Sequence, residues 1–135
     1  MDGLHHLSID IETYSDVEIG KTGLYRYAQS PAFEVLLFGY GLDGAPPRVI
    51  DLARGEQIPP EIVQHCMSPY TLKHAYNAAF EWWCLSEAMG LSWEQRVLWL
   101  QQWECSMVHA LYCGLPAQLG ALGAALKQPE DALKM

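Results

Sequence analysis

Asp10 and Glu12 close the first apolar run of the chain, Leu7-Ser8-Ile9-Asp10-Ile11-Glu12-Thr13. On a β-strand, side chains two residues apart share a face, so a strand here aims two carboxylates at one spot. Two like charges so close are costly unless a positive charge sits between them. A hard divalent cation meets that need, because magnesium and manganese take carboxylate oxygens. The pair is therefore a candidate metal site, and Asp10 and Glu12 are candidate catalytic residues. A third carboxylate, Glu81, lies in Asn77-Ala78-Ala79-Phe80-Glu81. Asn77 is a good helix N-cap, and Asn77 and Glu81, four apart, share a helix face.

The surrounding pattern supplies elements to hold these groups. Leu4 to Ile11 reads as a strand with Leu7, Ile9 and Ile11 on one face and Ser8, Asp10 and Glu12 on the other. Ser15 to Gly23 reads as a loop, and 24–28 as a short turn ended by Ser30-Pro31. The near-continuous apolar run from Phe33 to Gly41 favours a second, buried strand. Asp43-Gly44-Ala45-Pro46-Pro47 signals a hairpin connection, with Arg48 to Leu52 returning as the third strand. Pro59-Pro60 opens a helix over Glu61–Met67, and Thr71 to Ala75 is a short strand. A helix over Ala78–Met89 is closed by Gly90. Glu94 to Cys113 reads as helix with a break near Trp103, Gly114-Leu115-Pro116 as a turn, and Ala117 to Lys127 as a last helix. The order predicts an α/β fold, a mixed sheet flanked by helices.

Size and composition fit one domain over residues 1–135. Half of the residues are hydrophobic and 18% are charged, below the usual ~25%, which describes a folded globule. No apolar run reaches the ~18 residues of a membrane span, and the N-terminus is no secretory signal; a cytoplasmic setting is expected. The net charge of −8 speaks against a generic nucleic-acid coat, which would be basic. It is compatible with an enzyme that grips a few nucleotides through bound metal. Cys66, Cys84, Cys105 and Cys113 show no zinc spacing and read as free thiols. His5-His6 reads as a frayed terminus, since neighbouring strand residues point opposite ways. His65, His74 and His109 read as structural.

Asp10-Ile11-Glu12-Thr13 together with Asn77-Ala78-Ala79-Phe80-Glu81 resembles the first two motifs of the DnaQ-like, or DEDD, 3′–5′ exonucleases of the ribonuclease H-like fold. In that family D-x-E-T/S ends strand one and N-x-x-F/Y-D/E opens a helix. The segments Ile9–Ser15, Gly23–Ala28, Tyr76–Glu81 and Gly114-Leu115-Pro116 look like the proofreading region of phage-type family A DNA polymerases. The resemblance implies a two-metal mechanism with Mg²⁺ or Mn²⁺, in which Asp10, Glu12 and Glu81 are the ligands. It implies that Asp10 bridges the metals and that Glu12 touches the terminal 3′ hydroxyl. It places the Thr13 backbone and the Phe80 side chain against the 3′-terminal nucleotide of a single DNA strand, and has Asn77 tie the helix start to the first strand or to the substrate.

Two departures qualify these implications. Glu81 stands where many relatives carry aspartate. The family's third motif, Y/H-x-x-x-D, is absent: none of the acids after Glu81 has Tyr or His four positions before it. The expectation is a C-terminally truncated ribonuclease H-like domain with weak metal binding and little hydrolysis, in a bacterial or phage-infected cell. A polymerase domain or self-association through a truncated edge would complete it. Two other readings stand beside this one: a non-catalytic fragment acting in binding or assembly, and a standalone RNA or oligonucleotide exonuclease.

Overall fold

The structure, a computed structural model, describes residues 4–106. Five strands form one mixed sheet in the order β3-β2-β1-β4-β5. The sheet and its flanking helices are α/β in class and consistent with a ribonuclease H-like fold.

β1 (His5–Tyr14) lies at the centre, and its alternation is the predicted one. Leu7, Ile9 and Ile11 are buried, and Ser8, Asp10 and Glu12 face outward. β2 (Glu34–Leu42) runs antiparallel to β1, pairing Ile11 with Phe38 and Asp10 with Gly39. Its register slips between Glu12 and Thr13, where β2 carries one extra residue. Such a bulge bends the strand and re-aims side chains, here just past the two acids of β1. The hairpin to β3 (Arg48–Asp51) turns at Asp43 and Gly44, with φ of 51° and 79°. Two successive positive φ values match a type I′ turn, which suits the right-handed twist of the strands. β3 stops one residue short of the expected Leu52, which instead opens a 3₁₀ turn capped by Asp51.

β4 (Thr71–Ala75) pairs parallel to β1 on its other side. α3 (Pro60–Met67) precedes β4, and α4 (Ala78–Met89) follows it, closed by Gly90 in the left-handed region. The core joins Leu7, Ile9, Ile11 and Phe38 of the sheet to Ile62 and Cys66 of α3, Trp83, Cys84 and Leu85 of α4, and Trp99. The Trp99 indole N–H donates to the Cys66 carbonyl at 2.8 Å, giving this large buried ring the polar partner it needs.

Four expectations are corrected. The loop over 15–23 contains a one-turn helix, α1 (Ile19–Thr22), which buries nothing and so leaves no apolar signature. The turn at 24–28 is a helix, α2 (Leu24–Gln29). The helix expected from Glu94 to Cys113 is α5 (Trp93–Leu100), opened by a Ser92–Gln95 capping box. It is followed by a strand, β5 (Trp103–Cys105), parallel to β4. The rest of that helix, the turn at 114–116 and the helix over 117–127 lie outside the described residues. Finally, His5 and His6 belong to β1 and are not frayed. His5 Nδ1 bonds the Asp43 carboxylate at 2.7 Å, and His6 Nδ1 meets His74 Nε2 at 2.8 Å.

Lys73 anchors β5. It is fully buried, and its ammonium donates to the carbonyls of Ser68 and Thr71 and to Gln102 Oε1. Its backbone N–H donates to the Gln102 carbonyl at 2.8 Å. Burial pushes its pKa down to about 8.

Candidate active site

The C-terminal half of β1 and the first turn of α4 meet at one end of the sheet. β1 brings Asp10 on its outward face. α4 brings Glu81, which is only 5% exposed although it is a carboxylate. Burial and the Asp10 charge push the Glu81 pKa up to about 8. The protein around Asp10 and then the charge of Glu12 raise the Asp10 pKa as well. No ion pair among the described residues reaches Asp10 or Glu81. The charge of Glu12 thus acts on Asp10 and that of Asp10 on Glu81, so ionisation of Asp10 and of Glu81 is resisted.

Such an arrangement is what a hard divalent cation relieves: oxygen donors in a partly desolvated site, with Arg48 lining the same groove but, among the described residues, no ion pair to either acid. The donor chemistry of Asp10 and Glu81 fits magnesium or manganese. Among the described residues, however, no group of three or more His, Cys, Asp or Glu side chains gathers closely enough to hold an ion. Glu12 acts on Asp10 through its charge but does not complete a three-carboxylate cage.

The acids open onto a groove of about 700 Å³. Asp10, Asn77, Phe80 and Glu81 line it, as do His74 of β4 and Tyr76 of the turn that follows β4. Gly39 and Gly41 of β2 add wall without side chains. A Cβ on Gly39 would stand 3.1 Å from the Asp10 carbonyl oxygen. Backbone cannot swing aside, so Gly39→Ala is expected to cost about 1–3 kcal/mol by overpacking, read as a lower urea midpoint.

The remaining candidates fall as follows. Asn77 is exposed at the N-cap position of α4, but its side chain makes no capping bond. Phe80 lies against the core edge, 6.4 Å from the Tyr27 ring. The Thr13 hydroxyl bonds the Tyr27 hydroxyl at 2.8 Å, tying the end of β1 to α2. Glu12 and Thr13 stand beside the groove and not among its lining residues. Sequence reading missed Tyr76, His74 and the two glycines. Tyr76 lies in the turn after β4, so no strand alternation marked it.

No protein-family model matches the chain. A DNA polymerase of Bacillus phage SP02 is 44% identical over 121 residues, which is 90% of this chain and 18% of the polymerase. The chain therefore spans less than a fifth of that relative's length. Among solved structures, a chain in the structure of yeast NOT1 MIF4G domain co-crystallized with CAF1 has a TM-score of 0.59, covering 95% of this chain and 74% of that one. At 13% identity this likeness concerns the fold alone. The chain is a homologue of a segment of a phage DNA polymerase, folded as an α/β domain whose central strand and fourth helix bring two carboxylates together.

Proposed function

We propose that the chain is a metal-dependent 3′–5′ exonuclease unit associated with a phage-type DNA polymerase. The observation that carries this reading is the meeting of Asp10 and Glu81 at the mouth of a groove: two carboxylates, each made harder to ionise, with no ion pair to a basic side chain among the described residues. The homology to a phage DNA polymerase supplies the polymerase context, and the D-x-E-T and N-x-x-F-E motifs supply the exonuclease part.

Asp10 and Glu81 would hold magnesium or manganese. When bound, the metal lowers the pKa of a water and steadies the leaving 3′ oxygen. Glu12, on the same strand face as Asp10, would accept a hydrogen bond from the terminal 3′ hydroxyl. Phe80 offers a ring against which the last base can pack, and stacking of this kind tolerates every base. The exposed Asn77 carboxamide, uncommitted to the helix, can bond sugar or phosphate. The Thr13–Tyr27 bond keeps the end of β1 in place. Single-stranded DNA with a free 3′ end is the substrate this arrangement suits. Trp93 and Leu98 of α5, 64% and 65% exposed, support a further partner, the polymerase body, on a different face.

The test is a titration of Mn²⁺ with a 5′-labelled single strand, using the parent chain and Asp10→Ala. Stepwise shortening in the parent that vanishes in Asp10→Ala is the expected result. Shortening that persists in Asp10→Ala would refute the assignment. A second reading, a non-catalytic binding or assembly unit on this fold, is favoured by the failure of three acids to gather into one cage. Metal-independent binding of the strand without shortening would select it.

A further inference from the structure

β5, the strand hidden from sequence reading, ends at the half-buried Cys105, and this thiol faces the turn that carries the second motif. The Ala78 backbone N–H, the first of α4, donates to Cys105 Sγ at 3.4 Å. The same thiol donates to the Tyr76 carbonyl at 3.3 Å. One side chain therefore grips both ends of the Tyr76-Asn77-Ala78 turn, three residues before Glu81.

The first N–H groups of a helix have no partner within it, and a side chain at the N-cap commonly supplies one. Asn77 occupies that position and is among the best residues for the task, yet it makes no capping bond. An N-cap side chain serves the second or third helical N–H; the first, that of Ala78, is bonded from another strand. Lys73 and Gln102 fix the other end of β5, so the thiol is held on a rigid support.

We infer that Cys105 is a positioning residue for the candidate site: from β5 it pins both ends of the Tyr76-Asn77-Ala78 turn, and the turn so held keeps the Asn77 carboxamide at the groove and off the cap. The inference rests on the exonuclease reading for the substrate but not for the cap. Removing the thiol releases the turn, so that the Asn77 side chain can swing to the second or third N–H of α4, the N-cap's usual partners, and away from the groove. Small displacements of this kind are costly at reacting groups.

The experiment is a double-mutant cycle between Cys105→Ala and Asn77→Ala, read by thermal melting. In the parent, Asn77→Ala should leave the melting temperature nearly unchanged. In the Cys105→Ala background it should lower it by about 3–5 °C, the usual effect of losing a cap in a domain of this size. Equal effects in both backgrounds would overturn the inference. Binding of a fluorescent oligothymidine gives the second readout. Cys105→Ala should bind several-fold more weakly, and Cys105→Ser, which keeps a donor and an acceptor, should restore most of the loss; unchanged binding in Cys105→Ala would overturn the substrate half. Should Cys105→Ala fail to fold, amide exchange decides: Ala78 protection that survives Asn77→Ala is expected, and protection lost in that variant refutes the thiol cap. A parent chain that binds no oligothymidine would defeat the exonuclease reading while leaving the melting cycle to judge the cap.

Discussion

Glu81→Gln is expected to make the metal-free chain more stable at pH 8 while abolishing Mn²⁺-dependent removal of 3′ nucleotides. The stability half follows from linkage. The folded chain holds Glu81 at about 8, above its ordinary 4.5, because of burial and then Asp10. Between those values the folded state keeps a proton that the unfolded state has released. Stability then falls as pH rises from about 4.5 to about 8. The total is on the order of a few kcal/mol, shared with Asp10 because the two titrate as a pair. Glutamine has no proton to lose, so the variant should lack most of this fall. Melting curves at pH 5 and pH 8 check it: the parent should drop by several degrees and Glu81→Gln by much less.

The activity half has the opposite sign for the same reason. The charge that the empty fold resists is the one a divalent cation needs. Neutralising it should remove several kcal/mol of transition-state stabilisation, a loss of roughly 10³-fold or more. Added Mn²⁺ should raise the parent's melting temperature at pH 8, because a ligand that binds only the folded state stabilises it. It should raise that of Glu81→Gln far less. A variant that is neither more stable at pH 8 nor less active would mean that Glu81 is an ordinary buried acid, outside the site.

Elements that announce themselves by period were legible. β1 shows three inward aliphatics alternating with Ser8, Asp10 and Glu12, and the structure keeps that split. α4 runs from Asn77 to Gly90 as its end signals require. The two motifs pointed to the carboxylates that meet. β5 was hidden because three residues are too few for a period, and its partners in β4 lie about 30 residues away. α1 was hidden because a single exposed turn buries nothing. The His5–Asp43 and His6–His74 bonds join segments far apart in the chain, so adjacent histidines looked like a terminus. Asn77 shows the deeper limit. Its residue type identified the helix start, but which group satisfies the first N–H depended on a strand that sequence reading did not contain. Similarly, the i, i+2 spacing placed Asp10 and Glu12 on one face, whereas the burial of Glu81, which sets the electrostatics of the pair, arises from tertiary packing.

Lys73 carries the second large effect, and it concerns the scaffold. Lys73→Met is expected to destabilise the chain by about 2–3 kcal/mol. Methionine fills a similar volume, but it takes the donor from the Thr71 carbonyl and the part-buried Gln102 amide, while the Ser68 carbonyl keeps the Thr71 N–H; a buried polar group left unpaired costs about 1–3 kcal/mol. Part of that loss is offset because a buried ammonium is itself expensive. The offset is visible in its titration. The folded-state pKa is pushed from 10.5 down to about 8, chiefly by burial. Above pH 8 the unfolded state therefore binds more protons than the folded state, and stability attributable to Lys73 rises with pH toward 10.5. Cys66 and Cys84, raised by burial to about 11 and about 12, pull the other way once their unfolded thiols ionise near 9, so the clean window is pH 8 to 9. Lys73→Met should show the smaller deficit at pH 7, where the parent still carries the costly buried charge, and the larger one at pH 9, where it no longer does. Urea midpoints at the two pH values check this. A deficit that is the same at both would mean that Lys73 stays charged throughout, held by its three oxygens. Because these bonds also fix β5, and β5 carries Cys105 to the turn before Glu81, the same variant should weaken oligothymidine binding although Lys73 lies outside the groove lining.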